Sequence, residues 1–234
     1  MLEIEHIETY YGKAQALFDV SVSVEASEIV ALVGSNGAGK TTLLKTVSGL
    51  LHPASGRVEF LGKRIEGRPS HAVMELGIAH IPEGRKLFPD MSVQENLEMG
   101  AYLQRAWKKK EESLEDIYQL LPVLRARKGQ LARTLSGGEQ QMVALGRGLM
   151  SMPKLCMIDE PSSGLAPVMV DEIFRIVEGL RDQGIAIFLV EQNVRHTLEI
   201  ADRAYVIENG HVALEGESKQ LLEEEVIRKA YLGL

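Results

Sequence analysis

Three short runs of the chain are apolar at every position: residues 29–33, 155–158 and 185–190. Runs of this length are typical of strands that are buried on both faces, as in a parallel sheet covered by helices. From Val20 to Val24, by contrast, apolar and polar residues alternate, and Val58 and Phe60 repeat that spacing. Alternation predicts half-exposed antiparallel strands. The sequence therefore predicts two kinds of sheet, with the antiparallel one in the N-terminal part.

Helical periodicity appears between these runs, in two apolar stripes. The stripes are Leu43, Leu44, Val47 and Leu50, and then Ile173, Ile176, Val177 and Leu180. We expect the first helix to end at Pro53, because proline cannot continue a helix. Residues 93–124 are rich in charge and lack a strand pattern, so we expect them to be mostly helical. The pattern as a whole predicts an α/β core with an N-terminal antiparallel β portion and a helical insertion near the middle.

Composition narrows the class of protein. The chain has 234 residues and a formal net charge of −7, which argues against a nucleic-acid partner. The basic run 108–110 precedes Glu111 and Glu112, as on a solvated helix face. The single cysteine, Cys156, lies in an apolar run, which favours a buried side chain over a nucleophile. We find no signal peptide and no stretch of about 18 apolar residues, so we expect a cytoplasmic protein that reaches a membrane through a partner.

The strongest local motif follows the first apolar run directly and is a complete G-x-x-x-x-G-K-T phosphate loop. The loop consists of Gly34, Ser35, Asn36, Gly37, Ala38, Gly39, Lys40 and Thr41, with Thr42 beside it in the expected nucleotide site. A strand before the loop and a helix after it point backbone N–H groups at a phosphate. We expect Lys40 to reach the β- and γ-phosphates and Thr41 to ligate Mg²⁺. The loop alone does not distinguish kinases, GTPases, helicases and transport motors, and a simple glycine-rich turn is the plainer alternative.

Two adjacent carboxylates, Asp159 and Glu160, end the second apolar run. Ligands of doubly wound sheets bind beyond the carboxyl ends of the strands, so Asp159 is expected to hold Mg²⁺. Glu160 is expected to act as general base on an attacking water; a hydrolase needs such a base, whereas a kinase must keep water out. The alternative is a pair of exposed acids before a helix that starts after Pro161. The phosphate loop upstream favours the catalytic interpretation.

A glycine pair opens the helix predicted for residues 142–149. Ser136 and Glu139 have the S-x-x-E spacing of a capping box, which is the structural alternative for this motif. Capping does not require Gly137 and Gly138, however, and two glycines at a helix N-terminus offer a second anion site. A nucleotide needs only one such helix end from a chain, and this chain has two. The second one indicates that two chains share each nucleotide site.

These motifs, in this order, resemble the ATP-binding cassette (ABC) family over essentially the whole chain. The resemblance implies a P-loop NTPase fold in one ABC ATPase domain, residues 1–234. Its α/β core would comprise residues 1–87 and 151–234, and its helical subdomain about residues 88–150. It also implies a head-to-tail dimer that hydrolyses ATP between the phosphate loop of one chain and residues 135–139, the signature, of the other. Ser136 and Gly138 would contact the γ-phosphate in trans, with Gly137 and Glu139 completing that surface.

The resemblance also implies an aromatic side chain near the N-terminus that stacks on adenine. Tyr11 matches best and Tyr10 is the second candidate; an exposed tyrosine at a strand end is the structural alternative. The loop at residues 163–166 corresponds to the family's D-loop and lacks the usual acid after leucine. We therefore do not expect this loop to supply a carboxylate across the dimer.

Two positions depart from the family's usual residues. Glu83 stands where glutamine usually senses Mg²⁺ and contacts the membrane subunit, and a carboxylate can also ligate the ion. Gln192 stands where histidine usually contacts the γ-phosphate; an amide can donate a hydrogen bond but cannot change charge near neutral pH. We therefore hypothesise that this half-site hydrolyses ATP slowly, and that a partner with the usual histidine does most of the work.

The phrases around Glu83, Gly164 and Gln192 resemble one branch of the family, the smaller ATPase subunit of branched-chain amino acid importers. That branch implies a second ATPase subunit, integral membrane permease subunits docked near residues 83–88, and indirectly a substrate-binding protein. The chain would then lie on the inner face of the cell membrane. The alternative is a soluble ABC ATPase that is not coupled to transport, but no long coiled-coil segment fits between Gly34 and Gly138. A nucleotide-gated scaffold is the non-enzymatic alternative, kept open by Glu83 and Gln192.

Overall fold

The computed structural model of the protein describes residues 1–224, so the last ten residues of the predicted core lie outside it. The strands are β1 (Leu2–Tyr11), β2 (Ala14–Val24), β3 (Ile29–Val33), β4 (Ser55–Phe60), β5 (Lys63–Arg64), β6 (Ile78–Ile81), β7 (Leu155–Asp159), β8 (Ala186–Glu191), β9 (Arg203–Glu208) and β10 (His211–Glu217). The α-helices are α1 (Lys40–Val47), α2 (Ser70–Leu76), α3 (Val93–Glu98), α4 (Gln104–Lys108), α5 (Lys110–Leu120), α6 (Pro122–Ala126), α7 (Gly137–Leu149), α8 (Pro167–Asp182), α9 (Val194–Ile200) and α10 (Ser218–Glu223). Residues 99–101 and 132–134 form short 3₁₀ helices.

The strands form the two kinds of sheet that the hydrophobic pattern predicts. An antiparallel sheet has the order β2-β1-β4-β5, and a six-stranded sheet has the order β10-β9-β3-β8-β7-β6. In the second sheet, the strands from β9 to β6 run parallel, and β10 pairs antiparallel with β9 at the edge. The predicted α/β fold with an N-terminal antiparallel portion is therefore confirmed.

The six-stranded sheet separates two hydrophobic cores, which explains why its strands lack alternation. In β3, Ile29, Ala31 and Val33 pack into the core beneath the helical segment, whereas Val30 and Leu32 pack into the core shared with α1 and the antiparallel sheet. Every residue of β3, β7 and β8 is buried. Such strands stay in place because both of their faces lose contact with water.

The first predicted helix ends earlier than expected. Its last residue is Val47, and Gly49 follows with a φ of 72°, the left-handed conformation that commonly ends a helix. Leu50 therefore lies beyond the helix and is 57% exposed. The predictions that Leu50 belongs to the helical stripe and that the helix ends at Pro53 were both wrong, because the helix already ends before Gly49.

The segment between β6 and β7 is mostly helical, as its charge and missing strand pattern predict. It is broken into four short helices before α7, and the basic run lies at the junction of α4 and α5. Lys110 contacts Glu98 at 3.1 Å there, while Lys108 and Lys109 are exposed. The division of the chain at about residues 88 and 150 stays a prediction. None of the helices within residues 1–224 is both long and apolar enough to cross a membrane.

The carboxyl ends of three adjacent parallel strands are level with one another. Val33 of β3 pairs with Glu191 of β8, and Val190 of β8 pairs with Asp159 of β7. The loops that follow these strands therefore begin at one edge of the sheet, which is where ligands of such folds bind.

Candidate functional site

The phosphate loop joins β3 to α1 in the strand–loop–helix arrangement that its motif requires. Gly39 precedes the helix with a φ of 113°, and a Cβ atom at this position would lie 2.9 Å from Cδ2 of Leu17. Both the backbone conformation and the lack of space require glycine. The free N–H groups at the start of α1 thereby face the loop and form an anion site.

Lys40, the first residue of α1, has its ammonium group inside the loop. Nζ donates hydrogen bonds to the carbonyl oxygens of Gly34, at 2.8 Å, and Ser35, at 3.1 Å. It also lies 3.2 Å from Oε1 of Glu160, and the lysine side chain is 4% exposed. The predicted phosphate-binding cation and the predicted base are therefore in contact and largely buried, a setting in which electrostatic interactions are stronger than in water.

Asp159 and Thr41 form a pair that fits a divalent cation. The Thr41 hydroxyl donates to Oδ1 of Asp159 at 3.3 Å, and burial raises the pKa of Asp159 to about 6. Oδ2 of Asp159 is buried and has no hydrogen-bond partner among residues 1–224. An unpaired buried carboxylate oxygen is costly, and it is the kind of hard ligand that Mg²⁺ prefers. The pair thus meets the chemical requirements of the predicted magnesium site.

Glu160 has a backbone conformation that is rare for its residue type. Its φ is 46°, in the left-handed region, while its N–H donates to the carbonyl of Val190 at 2.9 Å. Such conformations cost about 1–3 kcal/mol and persist where surrounding contacts hold them, often at functional sites. The turn is what directs the side chain toward Lys40 rather than along the strand.

Lys40, Thr41 and Glu160 line a cleft of about 390 Å³, and the buried Asp159 lies behind Thr41 without lining it. Its walls are formed by Asn36, Gly37, Gly39, Lys40, Thr41, Thr42, Glu83, Glu160, Ser163 and Gln192. Glu83 and Gln192, the two departures from the usual family residues, are both exposed there. The structure therefore brings the phosphate loop, the expected base and both atypical side chains together, while their roles stay predictions.

The two candidate tyrosines lie in different surroundings. The Tyr11 hydroxyl is 3.4 Å from Oγ1 of Thr42, beside the phosphate loop, and its ring is 47% exposed. The Tyr10 hydroxyl instead donates to Gln15 at 2.9 Å, within the hairpin of β1 and β2. Successive side chains of a strand point to opposite faces, so only one of the two can face the loop. The geometry favours Tyr11 as the stacking residue.

The signature residues form the capping box that their spacing predicts. The Ser136 N–H donates to Oε2 of Glu139 at 2.8 Å, and the Glu139 N–H donates back to the serine hydroxyl at 3.4 Å. Glu139 also pairs with Arg127 at 2.6 Å, so its carboxylate serves the cap. None of the residues from Ser136 to Glu139 lines the cleft of about 390 Å³. Within one described chain, the signature and the phosphate loop do not share a site.

Sequence reasoning missed Glu191, a buried acid at the same sheet edge. The side chain is 1% exposed and accepts hydrogen bonds from the N–H groups of Ser162, at 2.8 Å, and Gln192, at 3.1 Å. A signal was available, because Glu191 directly follows an apolar run in the same way that Asp159 does.

Arg85 was also missed, and nothing in the local sequence indicates its contacts. Its guanidinium donates to Oε1 of Gln140 at 3.0 Å and packs against Gly137 at the start of α7. The carbonyl groups of Arg85 and Lys86 accept hydrogen bonds from Arg147 at 2.9 and 2.8 Å. The loop that contains Glu83 is thereby attached to the signature helix.

Comparison with known proteins gives consistent matches. Residues 17–163 match the ABC transporter family. The chain is 48% identical to the high-affinity branched-chain amino acid transport ATP-binding protein BraG of Pseudomonas aeruginosa, over 100% of both chains. It is 38% identical to the probable branched-chain amino acid transport ATP-binding protein LivF of Archaeoglobus fulgidus, over 100% of this chain and 99% of the relative.

Solved structures agree with the fold. The crystal structure of the ADP conformation of MJ1267, an ATP-binding cassette of an ABC transporter, superimposes with a TM-score of 0.85 at 32% identity. The match covers 100% of this chain and 99% of that one.

The two tyrosines can be distinguished by matched variants. We expect Tyr11→Ala to weaken ATP binding by about tenfold, since loss of one base–aromatic stack costs about 1–3 kcal/mol. Tyr10→Ala, which removes the neighbouring ring, should leave the affinity unchanged. Titration with a fluorescent ATP analogue measures both. Equal affinities for the two variants, or a larger loss in Tyr10→Ala, would contradict the assignment.

Proposed function

The chain belongs to the ABC transporter family of ATPases, and we propose that it is the ATP-hydrolysing subunit of an importer for branched-chain amino acids. The observation that carries the site assignment is the meeting of Lys40, Asp159 and Glu160 at the edge of the parallel sheet. The names of both full-length relatives support the cargo, as do the phrases around Glu83 and Gln192 that resemble this branch.

Hydrolysis in this proposal depends on three groups of the chain. Glu160 accepts a proton from the water that attacks the γ-phosphate. Lys40 and the N–H groups at the start of α1 stabilise the charge on the transferring phosphoryl group. Thr41 and Asp159 would hold Mg²⁺, with Glu83 nearby, and the ion would neutralise charge on the phosphates. Positioning and electrostatics are most of what phosphoryl transfer requires.

We further propose that two chains, identical or different, complete each nucleotide site. In one chain the signature lies outside the phosphate cleft, so a second chain must supply it. The capping box holds the start of α7 with the Ser136 side chain exposed, and the hydroxyl and the N–H groups of this helix end would contact the γ-phosphate. Glu139 contributes by holding this helix end rather than by touching the nucleotide.

Membrane permease subunits would dock on a groove of about 240 Å³ next to the loop that contains Glu83. Exposed apolar side chains line it, among them Phe88 at 42%, Met99 at 47% and Tyr102 at 53% exposure. Solvent-exposed apolar groups in a groove are typical of a protein interface. Arg147 lines the same groove and donates hydrogen bonds to the backbone carbonyls of Arg85 and Lys86, in the loop that contains Glu83. Arg147 would therefore connect the docked subunit with the loop at the nucleotide site. The chain would thus lie on the inner face of the membrane, with a substrate-binding protein acting on the far side.

Removal of the base tests the hydrolytic assignment. We expect Glu160→Gln to lower kcat for ATP by about 100-fold or more, because a general base contributes about 10²–10⁴-fold. ATP affinity should persist, since the phosphate loop is unchanged. Steady-state phosphate release and nucleotide titration provide the two measurements. The control is Glu112→Gln, which removes an exposed charge 3.8 Å from Lys109. Turnover at the wild-type rate in Glu160→Gln would exclude Glu160 as the base.

Uptake by cells tests the cargo and separates the importer from a soluble ABC ATPase. In a strain without this gene, we expect uptake of radiolabelled leucine, isoleucine and valine to fall and that of lysine to persist. The wild-type gene should restore uptake and the Glu160→Gln gene should not. Normal uptake of all three amino acids in the deletion strain would favour the alternative of an ATPase that is not coupled to their transport.

The slow-site hypothesis has its own test. Gln192→His should raise the ATPase rate about fivefold, the factor given by about 1 kcal/mol of added transition-state stabilisation from a charged donor. Gln183→His, at an exposed glutamine after α8, controls for the residue type. The ATPase rate and the thermal unfolding temperature are measured for both variants and for the wild type. An unchanged rate in Gln192→His with the fold intact would count against the hypothesis.

A further inference from the structure

Glu191 is a buried acid for which the proposed mechanism has no role. It ends β8 at the edge where the nucleotide cleft opens, yet it does not line the cleft of about 390 Å³. No lysine, arginine or histidine within residues 1–224 lies within 4 Å of its carboxylate. A buried carboxylate without a cation destabilises the fold unless hydrogen bonds satisfy it.

The hydrogen bonds of Glu191 connect two functional loops. One oxygen accepts from the N–H of Ser162, two residues after the predicted base, and the other accepts from the N–H of Gln192. Ser162 belongs to the loop after β7, and Gln192 to the loop after β8. Both loops contribute walls to the nucleotide cleft, through Glu160, Ser163 and Gln192.

The loop after β7 needs such support. Glu160 is held in its left-handed conformation by its own N–H bond to Val190 and by the bond from the Ser163 N–H to its carbonyl, at 3.2 Å. The carboxylate of Glu191 accepts a third hydrogen bond in this turn, from the N–H of Ser162, which lies between Glu160 and Ser163. The two oxygens of the carboxylate accept one N–H group each, whereas the amide of a glutamine has an acceptor at only one of these two positions.

We propose that Glu191 is a positioning residue, which holds the Glu160 turn and the Gln192 backbone in the geometry that directs both side chains at the γ-phosphate. The inference rests on the proposed role of Glu160 as base. Glu191 itself touches no substrate and acts through the two loops. Its loss therefore slows the chemical step while the phosphate loop continues to bind ATP.

Glu191→Gln is the most informative variant, because it keeps the size of the side chain but turns one acceptor oxygen into an NH₂ group. That group faces an N–H donor, so one of the two bonds is lost. In the full-length protein with its partner subunits, we expect kcat to fall at least tenfold and KM for ATP to stay within twofold. Glu191→Asp keeps the charge but is one methylene shorter, and it should show the same split between kcat and KM with a smaller fall. It is the variant to measure if Glu191→Gln does not fold.

Glu28→Gln is the matched control for a merely loosened fold. Glu28 is also a largely buried carboxylate, which accepts from the N–H of Glu25 at 2.7 Å and pairs with Arg203 at 2.7 Å. It lies at the opposite end of the parallel sheet, before β3. We expect its glutamine variant to lower the unfolding temperature at unchanged kcat.

Four outcomes would overturn the inference. A wild-type kcat in Glu191→Gln alongside an inactive Glu160→Gln rejects this inference and leaves the proposed function in place. A raised KM at unchanged kcat would assign Glu191 to nucleotide binding. Equal losses of kcat in Glu191→Gln and Glu28→Gln, at equal losses of unfolding temperature, would assign a structural role. Full turnover in Glu160→Gln would remove the premise as well as the inference.

Discussion

The level ends of β3, β8 and β7 are the constraint on which the site depends. Their pairing sets Val33 beside Glu191 and Val190 beside Asp159, so three loops start at one height above the sheet. Side chains alternate between the two faces of a strand, and a slip of one residue would exchange them. Such a slip would turn the side chain of Asp159 to the other face of the sheet, away from Thr41. Burial of both faces of these strands fixes the register, so the packing of the sheet positions the side chains of the site.

Electrostatics explain why this edge needs a cationic ligand. Asp159, Glu160 and Glu191 lie on neighbouring strand ends, and Lys40 contacts one of them directly. Burial raises the pKa values of Asp159 and Glu191, and the charge of Glu160 adds to the effect in both. The site therefore disfavours further negative charge, although its substrate is an anion. Backbone N–H groups, the start of α1 and the proposed Mg²⁺ would reconcile these demands.

The parts of the site that follow from local sequence could be predicted. Solid apolar runs place β3, β7 and β8, and the phosphate loop, the acid pair and the capping box are each read within a few residues. The error over the end of α1 came from giving weight to Pro53 instead of Gly49, and the omissions concern contacts between residues that lie far apart in the sequence. Gly49 ends α1 because of a left-handed turn, not because of the downstream proline. One partner of Glu191, Ser162, lies 29 residues away in sequence, and the partners of Arg85 lie in a helix more than 50 residues away.

The left-handed backbone at Glu160 has a consequence for how the protein can change over time. Glycine or asparagine would relax this turn, since both tolerate a positive φ better than glutamate does. If Glu160 is the base, as proposed, this position sets folding stability against turnover, because glycine and asparagine suit the backbone but have no carboxylate to accept a proton. A sequence that had lost selection for hydrolysis would be expected to drift here toward a relaxed residue, and to gain stability as it became inactive. The strained turn at Glu160 is thus the loss of folding stability that the proposed catalytic role would entail.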